Sequence, residues 1–268
     1  VIDSHAHLWR LGENGFTWPT ADLESIYRDF VLEDLKQVTA AAGVDGVVLV
    51  QSQASLTDTQ WLLSLANDPL VAGIVGWIDF TAPHGSSDMR ALAETKALRG
   101  LRPMVQDLES DWYDAPELDP VFATMSELEL VLDGLIRPKH LPSLRRLAER
   151  HPQLSILIDH GAKPDFSDLG SWRDEVGAIA KLPNVTCKFS GLLTELPAGA
   201  DPGAIRSAFD VLWNCFGAGR LIWGSDWPVL RLAGTYDNWL TQAQSLVPVE
   251  HHGQVFDGNA RRVYRIAA

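Results

Sequence analysis

The sequence predicts a closed (β/α)8 barrel of the TIM type, with residues 1–268 forming one domain. Three observations predict it. Short apolar runs alternate with longer amphipathic segments along the whole chain, eight such runs can be counted, and polar side chains collect at the ends of several of them. Alternating strands and helices imply right-handed parallel crossovers, and eight repeats suit a closed barrel better than an open sheet. A chain of 268 residues is long for one domain, but barrels often reach this size.

The predicted strands are Val1–His7, Gly46–Ser52, Val71–Asp79, Leu98–Val105, Leu128–Ile136, Leu154–His160, Asn184–Ser190 and Arg220–Asp226. Helical spacing falls between them, over Leu32–Ala42, Pro142–Arg150, Trp172–Lys181 and Pro202–Phe216. Ala42-Gly43, Leu182-Pro183-Asn184 and Gly217–Gly219 supply the stop signals that end helices feeding strands. The longest irregular stretches, Leu11–Asp22, Thr81–Asp88, Gln106–Pro120 and Gly161–Leu169, each follow a strand. They are therefore expected at the C-terminal rim, where barrels build their active sites.

Composition narrows the partners. With 46% hydrophobic residues the chain can fill a sizeable core, and its formal charge of −13 argues against nucleic acid or an anionic membrane surface. A small acidic substrate stays open, because a pocket can be locally positive. Cys187 and Cys215 are the only cysteines and read as buried, reduced thiols. No apolar stretch is long enough to span a bilayer, and the chain opens directly with a strand, so a cytoplasmic location is expected. Oligomeric state is left open.

The chemistry begins in the first strand. Side chains alternate along a strand, so Asp3, His5 and His7 are expected on one face, with Ile2, Ser4 and Ala6 on the other. Two imidazoles at i and i+2 suit a pair of metal ligands, a polar clamp on a substrate group, or a structural hydrogen-bonded pair. The sixth strand ends at His160 and the eighth at Asp226, with Ile222 and Gly224 on the Asp226 face. Several strands of one barrel ending in polar groups are hard to explain as packing, since burying such groups unpaired costs on the order of a few kcal/mol each.

These residues carry a family resemblance. Ile2-Asp3-Ser4-His5-Ala6-His7, Asp159-His160-Gly161-Ala162-Lys163-Pro164, Lys188-Phe189-Ser190-Gly191-Leu192 and Trp223-Gly224-Ser225-Asp226-Trp227-Pro228 resemble the amidohydrolase superfamily, in particular its amidohydrolase-2 branch of sugar-acid and pyrone-dicarboxylate lactonases. Trp18-Pro19, Arg28-Asp29-Phe30 leading into Glu33-Asp34-Leu35, and Arg99-Gly100-Leu101-Arg102 add weaker matches. The resemblance implies a hydrolytic site at the barrel mouth, with His5, His7, His160 and Asp226 at the family's polar positions and Asp226 as general base and acid. It also implies a metal, or cationic and imidazole donors, to stabilise the developing oxyanion. The fifth strand offers no His and no strand an obvious bridging lysine, so a two-metal site is not expected. One zinc or similar ion on His5, His7 and Asp226, with His160 nearby, is chemically reasonable. Some lactonases of this branch are thought to work without metal, so both forms stay open.

Further inward candidates are Lys188, to hold a substrate oxygen or Asp226 or to form an internal salt bridge, and Arg102, to bind a substrate carboxylate or form a surface ion pair. Trp9, Trp112 and Trp227 lie beside strand ends and could stack on a sugar ring, with core packing the alternative. His84, His140, His151, His251 and His252 read as solvated. The sequence thus points to a hydrolase that opens a sugar-acid lactone with water. The rivals are a decarboxylase of the same superfamily and a non-catalytic barrel that binds sugar acids.

Overall fold

The computed structural model describes residues 1–197, 199–201 and 203–267. Its strands are β1 (Ile2–Ala6), β2 (Gly46–Val50), β3 (Val71–Gly76), β4 (Leu98–Leu101), β5 (Val131–Gly134), β6 (Ile156–Ile158), β7 (Val185–Phe189) and β8 (Leu221–Trp223). They form one parallel sheet in the order β1 to β8. The ends meet where Asp226 N donates to His5 O at 2.8 Å and His7 N donates to Trp227 O at 2.7 Å. These bonds close the sheet as a (β/α)8 barrel.

The intervening helices include α1 (Leu32–Ala42), α2 (Leu56–Ser64), α3 (Gly85–Ala93), α4 (Asp119–Glu127), α5 (Leu141–Arg150), α6 (Leu169–Ile179), α7 (Leu192–Glu195), α8 (Ala204–Arg220), α9 (Tyr236–Leu246) and α10 (Asn259–Tyr264). The first matches its expected bounds. The sixth begins three residues before the expected Trp172, because Asp168 accepts from Gly170 N and caps it earlier. The helix expected over Pro202–Phe216 runs over α8, and Pro202 lies outside the described residues. The break at Gly217 comes as expected: its φ of +62° is a left-handed conformation that glycine adopts without strain.

The core has two parts. Leu35, Leu62, Trp172 and Leu212 belong to the large cluster that joins helices to the outer face of the sheet. Ile2, Val48, Val75, Val131, Leu157 and Ile222 form a smaller inner cluster, joined by Tyr264 of α10.

The structure corrects two sequence readings of geometry. The strands are shorter than their apolar runs, so His160 and Asp226 lie just past β6 and β8, in left-handed conformations with φ of +53° and +58°. Strict alternation also fails on β1, whose register shifts between Asp3 and Ala6. Ile2 packs in the inner cluster, whereas Asp3 accepts from Tyr236 Oη of α9 and from Ser225 N. His140 is not solvated: it is buried, with Nε2 3.1 Å from Leu108 O. His151 is half-buried against Asp119. Cys187 is buried and Cys215 half-buried, both as free thiols. No helix among the described residues is long and apolar enough to cross a membrane.

Candidate functional site

At the C-terminal mouth, β1, the turn after β6 and the turn after β8 bring His5, His7, His160 and Asp226 together. Asp226 Oδ1 lies 3.4 Å from His7 Nε2, 3.7 Å from His5 Nε2 and 3.8 Å from His160 Nε2. The turns that deliver these groups are tightly built. A Cβ on Gly191, which has φ of +63°, would stand 2.4 Å from His160 Nδ1, so only glycine lets the β7 loop pass this close to the ring.

Hydrogen bonds fix the ring protons. His7 Nδ1 is 2.8 Å from Val50 O, which requires an N–H there and leaves Nε2 of the neutral ring bare. His5 Nδ1 accepts from Lys188 Nζ at 2.9 Å, so the neutral His5 carries its proton on Nε2, 3.0 Å from the bare Nε2 of His7. Burial, and then Lys188, lower the His5 pKa well below its ordinary value, which keeps the ring neutral. Burial likewise brings His160 down to about 4, against the opposing pull of Asp226 and Asp159. Its Nδ1 is 2.9 Å from Ser190 Oγ. Burial also works against the Asp226 charge, but the nearby histidines outweigh it and hold the carboxyl below its usual range.

Lys188 does not reach the cavity. It is fully buried one layer below, where Nζ donates to Asp133 Oδ2 at 2.5 Å and lies 2.9 Å from Asp159 Oδ1. Tyr264 Oη donates to the same Asp133 oxygen at 2.7 Å. Burial raises the Asp133 carboxyl to about 6; burial opposes the charge on Asp159 too, but Lys188 and His5 hold Asp159 well below its ordinary value. Of the readings open for Lys188, the structure displays the internal salt bridge.

Arg102 is buried at the floor and not in a surface ion pair. One guanidinium nitrogen donates to Gln51 O and Oε1, at 2.5 and 3.1 Å, and the other lies 3.5 Å from Asp159 Oδ2. Its Nε finds no partner among the described residues. The floor opens into a cavity of about 290 Å³ lined by His7, Arg102, His160, Asp226, Lys163 and Trp18, among others. Trp9 and Trp227 do not line it, which corrects their expected contact with substrate. Both pack around Phe30, and Trp9 Nε1 is committed to Arg28 O at 2.8 Å. Trp112 lines a separate surface cleft with Thr81 and Glu117. Asp133, Asp159, Ser190 and Trp18 are additional members of the site or its support. Each had a signal: Asp133 interrupts an apolar run, the other two acid and hydroxyl groups lie in the motif segments, and Trp18 precedes Pro19 in a rim loop.

The donors fit a zinc-sized ion in kind and spacing. Ligands about 2.0–2.2 Å from a common centre lie roughly 3–3.5 Å from one another. His5 Nε2, His7 Nε2 and Asp226 Oδ1 lie 3.0, 3.4 and 3.7 Å from one another, close to that spacing, and His5, Asp159 and His160 form a second, overlapping group. An ion on His5 Nε2 would require the other neutral tautomer, with the ring proton on Nδ1, where Lys188 now donates.

A parallel barrel with an imidazole–carboxylate centre at its C-terminal mouth defines a class of barrel proteins built for chemistry at strand ends. The chain belongs to the amidohydrolase family, whose model matches residues 2–266. It is 42% identical to an L-fucono-1,5-lactonase of Burkholderia ambifaria, over 99% of this chain and 95% of that protein. An L-fucono-1,5-lactonase of Burkholderia multivorans is 32% identical over 99% and 96%. An amidohydrolase from Burkholderia multivorans, solved with bound zinc, superposes with a TM-score of 0.92 at 30% identity, over 99% of both chains.

Proposed function

We propose that this chain is a sugar-acid lactonase, a hydrolase that opens an aldono-1,5-lactone to its hydroxy acid at the His5–His7–His160–Asp226 centre. The observation that carries the reading is one carboxylate, Asp226, ringed by three imidazoles on the floor of a cavity of sugar size. Two lactonase relatives spanning nearly the whole chain support it over decarboxylation. The Asp226 charge argues against a purely binding role, because such a pocket has no need of a proton acceptor.

Asp226, held ionised, takes a proton from water as the oxygen attacks the lactone carbonyl. The carbonyl oxygen gathers charge beside the Arg102 guanidinium, which stabilises it where it develops. The C–O bond to the ring oxygen then breaks, and Asp226 returns the proton to the leaving alkoxide. Water and lactone thus give one carboxylic acid and one hydroxyl. Zinc would be held by His5, His7 and Asp226, with His160 at its edge, and would supply Lewis-acid polarisation of the carbonyl. Lys188 supports the centre through His5, and the working unit is a single barrel domain acting on a small molecule.

Replacing Asp226 by Asn tests the assignment. Turnover of L-fucono-1,5-lactone should fall by about 10²–10⁴-fold, while binding of the hydroxy-acid product, measured by calorimetry, persists. A variant that keeps wild-type turnover excludes Asp226 as the proton carrier.

A further inference from the structure

Arg102 reaches the cavity with its hydrogen-bonding capacity only partly used. Nη2 donates to Gln51 O at 2.5 Å and to Gln51 Oε1 at 3.1 Å, while Nε has no partner among the described residues. Nη1 stands 3.5 Å from Asp159 Oδ2 and 3.5 Å from His5 Nε2. A guanidinium free to meet a carboxylate usually closes to about 2.7–2.9 Å, often through two parallel N–H groups. Asp159 Oδ2 is available for such a bond, since it is buried and has no hydrogen-bond partner among the described residues. Something holds the two groups apart.

Gln51 is in the position to do so. It is fully buried one residue past β2, and Arg102 lies one residue past β4. Both are tied to β3 between them, Gln51 N donating to Val75 O and Arg102 N to Gly76 O, each at 2.8 Å. The Gln51 side chain then spans the end of β3. Its Nε2 donates to Arg102 O at 2.9 Å, and its Oε1 takes the bond from Nη2. Among the described residues, every hydrogen bond of this side chain goes to Arg102, and the Gln51 carbonyl accepts from the same Nη2. An amide that only satisfied loose backbone groups past the strands would have no reason to grip the guanidinium as well.

We propose that Gln51 is a positioning residue for the hydrolytic step: by anchoring Nη2 of Arg102 it keeps the guanidinium from collapsing onto Asp159 and leaves Nη1 for the lactone oxygen that gathers charge. The proposal rests on the lactonase reading above. Gln51 does not line the cavity, so it acts through Arg102 and not on the substrate. Moving a catalytic donor by about 1 Å is enough to lower the rate by about 10²-fold. Once released, Arg102 has a bare carboxylate oxygen 3.5 Å away to turn to. The loss is therefore expected in turnover, with substrate binding little changed.

The experiment is a double-mutant cycle on the full chain, with kcat and KM for an L-fucono-1,5-lactone measured in wild type, Gln51→Met, Arg102→Gln and the double variant. Gln51→Met should lower kcat by about 10–10²-fold, with KM within about 3-fold of wild type. In the Arg102→Gln background the same change should lower kcat by less than about 3-fold, because the two residues act as one unit. Gln51→Asn keeps the amide but is one methylene too short to span β3, and it should show the same split and the same coupling. It carries the test if the methionine variant does not fold, and circular dichroism at the assay temperature reports the folded fraction of each protein. Equal kcat losses in both backgrounds, or wild-type kcat in a folded Gln51 variant, would overturn the proposal while lactone opening by the wild type stands. A wild type that opens no aldono-1,5-lactone sinks the lactonase reading and this inference with it.

Discussion

The barrel interior holds two regions on the same eight strands, and they obey different rules. Below, Ile2, Val48, Val75, Val131, Leu157 and Ile222 fill the space with branched apolar side chains. Above, the strand ends carry His5, His7, Arg102, His160 and Asp226 around a cavity. Between the two lies a fully buried ionic layer of Lys188, Asp133 and Asp159, tied below to Tyr264 and above to His5. The difference teaches where rigidity comes from. Packing fixes the strands, the ionic layer fixes one imidazole, and only the uppermost groups are left to face a substrate.

Perturbing the ionic layer should have the largest effect. Lys188→Met leaves two carboxylates buried without their partner, and breaking such a pair costs about 3–5 kcal/mol. Urea unfolding should show this loss, with much of it recovered when Asp133→Asn is added; no recovery would mean that Lys188 acts by packing alone.

Leu157→Ala probes the lower region. Cutting a buried leucine to alanine costs about 2–5 kcal/mol of stability, but kcat of the folded fraction should stay within about 2-fold, since nothing in the lower cluster faces the cavity. A large kcat loss would show that the two regions are not separable.

Arg102→Gln removes a floor cation while sparing the strands. Loss of one oxyanion donor typically lowers kcat by about 10²–10³-fold, or roughly 3–4 kcal/mol of transition-state stabilisation. Its stability cost should be below that of Lys188→Met, because Asp159 keeps Lys188.

The smallest effect concerns pH. His160 falls from an ordinary 6.5 to about 4 in the fold, chiefly through burial. Between these values the unfolded chain binds a proton that the folded chain refuses, so this group's contribution to stability declines as pH falls from 6.5 toward 4. Activity should therefore hold from neutral pH down to about pH 5 and fall near pH 4, where His160 protonates in the fold. A kinetic limb near 6.5 would mean that His160 titrates as if exposed.

Much of this was legible in the sequence. The strand order, α1 and the convergence of His5, His7, His160 and Asp226 follow from apolar runs that end in polar groups. Sequence adjacency misled for Trp9 and Trp227, because the β1 loop folds Phe30 back against both rings. Parity misled on β1, because its register shift turns Asp3 outward to Tyr236. The role of Lys188 was undecided because its partners, Asp133 and Asp159, come from two other strands, and only the closed barrel brings the three together.

The most direct test of the central claim is to follow the opening of an aldono-1,5-lactone in 18O-labelled water, by NMR and mass spectrometry, with wild type and with Asp226→Asn. Attack of water on the carbonyl at this centre predicts rapid opening by the wild type, with one labelled oxygen per turnover in the new carboxylate. Asp226→Asn should open the lactone about 10²–10⁴-fold more slowly than the wild type. Label in the released ring hydroxyl, or equal rates for the two proteins, would contradict the account.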